Sequence, residues 1–233
     1  MKAAQKLESK EIINLMFYIR KALYLFVIFG YSISNAGSYE EFFKAIEMDD
    51  DATVSALLAR GFDGNTRDPK GQPGLYLALR DKSLKVSATL IGWRQINVEL
   101  RNAADESPLM IAALAGLTDL SQKLIAKGAD VNKPGWTPLH YAATRGHVQI
   151  ISLLLDNYAY IDASSPNGST PLMMAAFYGT PSAVKQLLEA GADPLVKNDQ
   201  GLTAIDFAQR NNRPESAELI AAFVRARQPK GTW

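Results

Sequence analysis

Two histidines and no cysteine limit the chemistry that this chain could perform. Without cysteine, a disulfide framework, a zinc ribbon and a thiol nucleophile are all excluded. A metal site with three histidine ligands is excluded too, and a Ser-His-Asp triad would have to use either His140 or His147. The sequence also lacks a phosphate-binding GxxxxGKS/T loop, the zinc motif HExxH and the nucleophile motif GxSxG.

Composition favours a folded chain that does not bind nucleic acid. The 233 residues include 25 Lys and Arg against 24 Asp and Glu. This near balance gives no support to nucleic-acid binding, which needs a basic surface. An apolar content of 47% with 21% charged residues is typical of a folded chain rather than a disordered one.

A motif that recurs about every 33 residues organises most of the chain. Residues 135–143 read GWTPLHYAA and residues 168–176 read GSTPLMMAA, with weaker copies elsewhere. An apolar anchor in each copy gives spacings of 33, 34, 30, 33 and 33, the anchors being Phe42, Leu75, Leu109, Leu139, Leu172 and Ile205. An apolar pair follows fifteen and sixteen residues after every anchor, from Leu57-Leu58 to Ile220-Ala221. Chance would not keep that offset through six units.

This pattern resembles the ankyrin repeat. The stretch from Thr137 to His147 keeps the TPLHxAA and GH elements of that family, and the resemblance extends from about Ser38 to Phe223. It implies an all-α fold, an ankyrin repeat solenoid of about six stacked helix-turn-helix units with short hairpin loops. The units are expected near residues 38–66, 67–100, 101–132, 133–165, 166–198 and 199–227, followed by a C-terminal tail at 228–233.

The motif residues indicate how each unit is built. Threonine and proline begin the first helix, because threonine caps it and proline has no N–H to leave unsatisfied. Seven residues after their anchors, Gly116, Gly146 and Gly179 are expected to turn the chain in a left-handed conformation. Asp49 and Asn212 fill the same position in the terminal units, and both residue types tolerate that conformation.

Departures from the motif predict local differences. Arg94 and Tyr158 replace the glycine that ends the second helix, so those helix ends should differ from the others or be strained. The second unit is the most degenerate and is expected to have a distorted hairpin. The 30-residue spacing removes three residues from the loop Asp130–Gly135, which predicts a short hairpin finger there.

The candidate metal ligands have simpler explanations in this repeat. His140 and His147 occupy the usual histidine positions of the motif, where such side chains hydrogen-bond backbone in the turns. The acidic run at residues 49–51 falls at a turn and is expected to be a solvated helix start. Met173 and Met174 are adjacent on a helix and point in different directions, so copper binding is not expected. The sequence therefore predicts no catalytic residue, no cofactor and no metal, and the chain is predicted not to be an enzyme.

A surface for binding another protein remains. In ankyrin stacks the partner usually meets the hairpin tips and the concave face, at positions three before the anchor and five and six after it. Those offsets select large or charged side chains in neighbouring units, namely Trp136, Arg145, Phe177, Tyr178, Leu114 and Arg80. Exposed aromatic residues beside arginine are typical of binding hot spots. The alternative is that Trp136 and Phe177 pack against each other as a local cluster.

The first 36 residues have the order of a secretory signal peptide. Five basic side chains precede the apolar run Ala22–Tyr31, and Ser34 and Ala36 fit the recognition positions for cleavage after Ala36. The run is too short to span a bilayer, which needs roughly 20 apolar residues. Alternatives are an uncleaved anchor or a buried helix, and a translation start at Met16 would give a tighter signal.

We therefore expect an exported, non-enzymatic module that binds another protein through its concave face and hairpin tips. The signal is bacterial in style, so the periplasm is the expected location, with secretion as the other destination. The chain is expected to be a monomer that binds neither nucleic acid nor, after cleavage, the membrane. Two alternatives are an accessory or protective factor for a periplasmic enzyme and a secreted effector acting on host proteins.

The signal hypothesis predicts that the exported protein begins at Gly37, because Ser34 and Ala36 occupy the recognition positions. N-terminal sequencing of the exported product measures this. A membrane-bound product that retains Met1 or Met16 would contradict the prediction.

Overall fold

The computed structural model describes Lys21 and residues 37 to 227, so the predicted signal segment and the C-terminal tail lie outside the described residues, Lys21 apart. Residues 37–227 form twelve helices in six consecutive pairs. In chain order they are α1 (37–47), α2 (Asp51–Ala59), α3 (Gly74–Arg80), α4 (Leu84–Gly92), α5 (Pro108–Ala115), α6 (Thr118–Ala126), α7 (Pro138–Arg145), α8 (Val148–Asp156), α9 (Pro171–Phe177), α10 (Pro181–Glu189), α11 (Ala204–Arg210) and α12 (Pro214–Arg227).

The helices stack in two layers. The first helices of successive units pack side by side, from α3 through α5, α7 and α9 to α11. The second helices form a parallel layer from α2 to α12, and each unit joins the layers through its own pair. Contacts therefore run between neighbouring units, as the repeat pattern predicts. The predicted helical solenoid is confirmed.

Apolar burial between units holds the stack together. The anchors Phe42, Leu109, Leu139 and Leu172 have no exposed surface. The terminal anchor Ile205 is half-buried, because the last unit has one neighbour. The first member of every apolar pair on the second helices is also buried, as in Leu57, Leu90, Leu124, Leu154, Leu187 and Ile220.

Side-chain caps begin the first helices. The hydroxyl oxygens of Ser107, Thr137 and Thr170 each accept a hydrogen bond from the backbone N–H three residues later. Proline follows each of them at the first helical position. In the last unit the Asp206 carboxylate accepts the Thr203 backbone N–H at 2.7 Å. The predicted role of the Thr-Pro dipeptide thus holds for the central units.

The turn between the two helices is left-handed in five of the six described units. Gly116, Gly146, Asp49 and Asn212 have φ between 50° and 78°, as expected, and Lys82 has φ 60°. The expectation for Gly179 is wrong, because its φ is not positive. A Cβ at Gly179 would lie 2.9 Å from the Cα of Ala175 and closer still to a backbone oxygen of the preceding unit. Close packing, rather than a left-handed backbone, therefore requires glycine there.

At the two second-helix ends that lack a glycine, the backbone either is strained or differs from that of the other units, as predicted. Tyr158 adopts a positive φ of 64°, which is strained for a residue with a large side chain. The helix α4 instead ends through Trp93 in an extended conformation, with φ −65° and ψ 134°.

The second unit does not have the distorted hairpin that its degenerate sequence suggested. The Asp68 N–H donates to the Gln72 carbonyl at 2.9 Å, which matches the bond between Asn198 and Leu202 at 3.0 Å in the last unit. An isolated bridge between Arg67 and Pro73 also joins its two sides. Degeneracy in the helices therefore leaves the finger intact.

The hairpin loop Asp130–Gly135 precedes the helices of the fourth unit, and we call it the fourth finger. It is short, as the spacing of the anchors predicted. It lacks the corresponding bond from Asn132 to Trp136 among the described residues. Lys133 compensates, since its buried ammonium donates to the Pro134 carbonyl at 3.0 Å and pairs with Asp105 of the third finger at 2.5 Å. The hydrogen bond from Lys133 is the main cause that lowers the pKa of Asp105.

Polar side chains also connect neighbouring units, in the loops that follow the second helices. The amide oxygens of Asn65 and Asn132 accept the backbone N–H groups of Asn97 and Tyr160 at 2.8 and 2.7 Å. Asp162 accepts the backbone N–H of Asp193 in the same way at 3.1 Å. Each bond crosses from one unit to the next and fixes the spacing of the stack.

Across the described part of the chain, no helix has the length and apolar character that crossing a membrane requires.

Removing core volume between units should destabilise the stack strongly. Leu154 and Leu187 have no exposed surface and lie between two neighbours, so Leu→Ala at either position should cost about 2–5 kcal/mol of unfolding free energy. Ile220→Ala should cost less, because α12 has neighbours on one side of the stack. Denaturant melts of the three variants measure this, and equal losses at all three positions would contradict the stacked arrangement.

Candidate functional site

The six predicted binding residues lie along one side of the stack, at the ends of the first helices and the base of one finger. Arg80, Arg145 and Phe177 are the last residues of α3, α7 and α9, and Tyr178 follows α9. Leu114 lies in the last turn of α5, and Trp136 immediately precedes the cap of α7. Arg80, Arg145 and Tyr178 are exposed, and the other three are half-buried.

Three of these residues share one groove. Arg80, Leu114 and Arg145 line a depression of about 550 Å³ that crosses units two, three and four. Further lining residues are Tyr76, Lys82, Glu106, Ile111, Ala115 and His147. We call this depression the inner groove.

The aromatic residues outside the groove form two separate contacts. The rings of Phe177 and Tyr178 lie 4.4 Å apart, and Phe177 also meets Phe207 of the last unit edge to face at 5.9 Å. Trp136 packs edge to face on His140 at 5.3 Å. Within the described residues no ring contact joins Trp136 and Phe177, and each ring instead contacts a different neighbour. Tyr178 keeps 53% of its surface exposed.

Backbone hydrogen bonds hold Phe177 and Tyr178 in place. The Asn211 amide donates to the Phe177 carbonyl at 2.5 Å, and the Arg213 guanidinium donates to the Tyr178 carbonyl at 3.2 Å. Both donors belong to the following unit. The exposed ring of Tyr178 is therefore presented by a fixed backbone, which lowers the entropy that binding would cost.

A carboxylate that the sequence did not single out organises the groove wall. Glu106 accepts hydrogen bonds from the Tyr141 hydroxyl at 2.8 Å, the Tyr76 hydroxyl at 3.2 Å and the Asn102 amide at 2.7 Å. Burial, followed by interaction with Glu106, raises the pKa of both tyrosines. The network joins units two, three and four, and so fixes the groove that they form. In the sequence, the one indication of this network was the position of Glu106, three residues before the anchor Leu109.

The histidine rings serve the same purpose of joining units. The fully buried His140 accepts the Thr137 backbone N–H at Nδ1, at 3.2 Å. Its Nε2 lies 2.9 Å from the Ser169 carbonyl oxygen of the next unit, so the neutral ring carries its proton on Nε2. His147 Nε2 lies 3.2 Å from the Leu114 carbonyl oxygen of the preceding unit. Both rings thus contact backbone in the turns, as expected.

The acidic run at the first turn is also used for structure. The Asp50 carboxylate caps α2 by accepting the Thr53 backbone N–H at 3.0 Å, and hydrogen bonds from Thr53 lower its pKa. Asp49 accepts the Val86 backbone N–H of the next unit at 2.9 Å. Of the neighbouring methionines, Met173 is buried and Met174 is half-buried. No group of three or more His, Asp or Glu side chains that could hold a metal occurs in the described ranges.

Comparisons with known proteins agree with this arrangement. The family model for ankyrin repeats, described as three copies, matches residues 75–165 and 160–227, which together exceed half of the chain. The chain is 32% identical over 160 residues to the nuclear factor NF-kappa-B p105 subunit of Gallus gallus, covering 66% of this chain and 16% of that protein. It is 40% identical over 91 residues to the ankyrin repeat and SAM domain-containing protein 6 of Mus musculus, covering 39% of this chain and 10% of that protein. The chain thus spans less than a fifth of these relatives.

Two solved structures are similar over most of their length. One is a chain in the structure of a complex between a predatory endopeptidase from Bdellovibrio bacteriovorus and an immunity protein, with a TM-score of 0.68 and 29% identity. The other is an ankyrin repeat domain from Acinetobacter baumannii, with a TM-score of 0.68 and 25% identity. Each alignment covers 78% of this chain and 97% of the other.

The environment of His140 makes stability depend on pH. Burial lowers the pKa of His140 from 6.5 to about 4, because the charged ring loses its hydration in the core. Between these values the unfolded chain binds a proton that the folded chain does not, so stability falls as the pH drops from 6.5 towards 4. The loss should be at most about 3 kcal/mol from this group.

The comparison of wild type with His140→Gln isolates that contribution. The variant should be less stable at pH 7 but should lose less stability between pH 7 and pH 4, as measured by denaturant melts. A nuclear magnetic resonance titration of the wild-type His140 ring gives its pKa directly. A ring that titrates near 6.5 in the folded protein would contradict the prediction.

Proposed function

The chain belongs to the ankyrin repeat family, and on that basis we propose that it is a non-enzymatic, monomeric module of the periplasm that binds one protein partner. Ankyrin repeats are protein-binding modules, and no catalytic family is indicated for this chain. Beyond protein binding itself, we propose the compartment, the oligomeric state and the surface that contacts the partner.

The exposed side of the first helices supports the proposed surface. Tyr178 and Arg145 come from neighbouring units, point away from the core and are both exposed. Tyr178 carries the proposal, because this large aromatic residue has one ring contact among the described residues, with Phe177, and keeps 53% of its surface exposed on a fixed backbone. Aromatic and arginine side chains of this kind supply most of the binding energy in protein interfaces.

The N-terminal sequence supports export. Its basic residues, short apolar run and small residues before Gly37 have the order of a cleavable signal. A chain without cysteine is also suited to an oxidising compartment, where a free thiol would be reactive.

A second candidate function is protection or control of an exported enzyme. One observation favours it: a structurally similar chain belongs to a complex between an endopeptidase and an immunity protein, and 97% of that chain aligns. The candidate predicts that the captured partner is an enzyme whose activity or half-life changes when this protein is added in equal amount. A partner without enzymatic activity would exclude it.

Substitutions on the proposed surface should weaken binding more than folding. Tyr178→Ala should reduce affinity for the captured partner by about 2 kcal/mol or more, with a change in stability near 0.5 kcal/mol. Trp136→Ala should reduce affinity similarly but should also lower stability, because its ring packs on His140. The measurements are capture from the native periplasm, titration with the identified partner and thermal melts.

Gln149→Ala is the matched control, since Gln149 is exposed on α8 in the other helix layer. It should change neither affinity nor stability. Unchanged affinity of Tyr178→Ala and Trp136→Ala for the partner would place the binding surface elsewhere and overturn the proposal.

A further inference from the structure

We infer that the inner groove binds an extended acidic segment of the partner. In this segment one carboxylate lies on each side of a pair of apolar side chains. This inference rests on the proposed function and adds the chemistry of the partner to it. It follows from the floor of the groove and from the charges that its own contacts leave unpaired.

The floor of the groove is apolar and belongs to the third unit. Ile111 is buried, and Leu114 and Ala115 are half-buried, so a strip of aliphatic surface faces the groove. His147 contacts the Leu114 carbonyl, so this polar group of the floor already has a partner. An apolar side chain of a partner would gain free energy by covering this strip.

Two of the charged groups in the groove are already satisfied. Both oxygens of Glu106 accept hydrogen bonds from neighbouring side chains, so this carboxylate has little capacity for a further donor. The Arg80 guanidinium is held by Asp81 through two hydrogen bonds of 2.7 and 2.9 Å. Asp81 balances the charge of Arg80, whereas Glu106 keeps its negative charge because its three hydrogen-bond donors are neutral groups.

Two cations remain without a counter-ion. Lys82 and Arg145 both line the groove and are exposed. Neither forms an ion pair within the described residues, whereas the neighbouring Arg80 pairs with Asp81. The groove lining therefore has two unpaired positive charges against the one unpaired carboxylate of Glu106, and this net positive charge favours an acidic occupant.

The spacing of the two cations suggests the form of that occupant. Lys82 follows α3 and Arg145 ends α7, with α5 packed between these helices. Packed helices lie about 8–10 Å apart, so two steps place the cations about 16–20 Å apart. An extended segment covers this distance in about six residues, and its alternate side chains face the same way. Acidic residues six apart, with two apolar residues between them on the same face, would match both cations and the floor.

Helix stability gives a partial explanation of Arg145. A positive charge at the C-terminal end of α7 is favourable there, because it interacts with the negative end of the helix dipole. That explanation does not extend to Lys82, which lies beyond the end of α3 in a left-handed turn where glycine or asparagine is usual. The inclusion of both cations in one groove is what points to a ligand.

The test uses a defined peptide and the purified protein. The probe is an acetylated and amidated nonapeptide, Gly-Glu-Ser-Leu-Ser-Leu-Ser-Glu-Gly, titrated into nitrogen-15-labelled protein and followed by nuclear magnetic resonance. We expect shifts concentrated in the last turns of α3, α5 and α7, with weaker binding as salt is raised. Replacing both glutamates of the peptide by glutamine should weaken binding about two- to fivefold or more.

Protein variants provide the matched comparison. The charge reversal K82E/R145E should weaken binding of the acidic peptide at least tenfold and should favour a peptide with lysine in place of glutamate. Lys123→Glu is the control, because Lys123 is exposed on α6 away from the inner groove, and it should have no effect. Melting curves of each variant confirm that the fold is retained.

The inference is overturned if the glutamine peptide binds as well as the acidic one, if the wild-type protein prefers the lysine peptide, or if the shifts lie outside the groove. The result is separable from the proposed function. If the acidic peptide fails but Tyr178→Ala still weakens capture of the natural partner, the protein-binding proposal stands and the partner chemistry is wrong.

Discussion

The structure depends on the fact that no unit can bury its apolar face alone. Each helix pair is too small to form a core, so the anchors and the second-helix leucines are covered by the units on either side. Polar contacts follow the same rule. His140, Asn132, Asp162 and Glu106 all reach from one unit to backbone or side chains of the next. Stability and the shape of the surface are therefore properties of the interfaces between units.

The interfaces between units also make the proposed binding surface rigid. The last turns of the first helices carry the exposed side chains, while their backbones are held by neighbouring units, as at Tyr178 and Arg213. The inner groove is similarly fixed by the hydrogen bonds that converge on Glu106. A partner would meet a surface that is already ordered, so little conformational entropy would be lost on this side of the interface.

Most of the fold could be predicted from the sequence, because the repeat preserves the residues that local geometry requires. The Thr-Pro starts, the left-handed turns at Asp49 and Asn212 and the strained helix end at Tyr158 each follow from a residue type at a fixed offset. The error at Gly179 arose because glycine can serve either a left-handed turn or close packing, and the choice depends on the neighbouring unit. The hairpin of the second unit was misjudged because finger geometry depends on a few local bonds, not on how well the helices match the motif.

The candidate site was less predictable. The offsets placed Arg80, Leu114 and Arg145 on the same side, and the structure brings them into one groove. The sequence could not show that Asp81 neutralises Arg80 or that Glu106 is used by two tyrosines, since pairing depends on side-chain contacts across units. It also gave no reason to select Lys82, whose place in the groove depends on an unusual turn.

The short fourth finger breaks the translational symmetry of the array. A stack of equal units would offer a partner several equivalent registers, each displaced by one repeat. Here the loop Asp130–Gly135 is truncated, and Lys133 ties it to the third finger through Asp105. A partner that contacts the fingers thus encounters one position unlike all others, which can define a unique alignment along an otherwise repetitive surface.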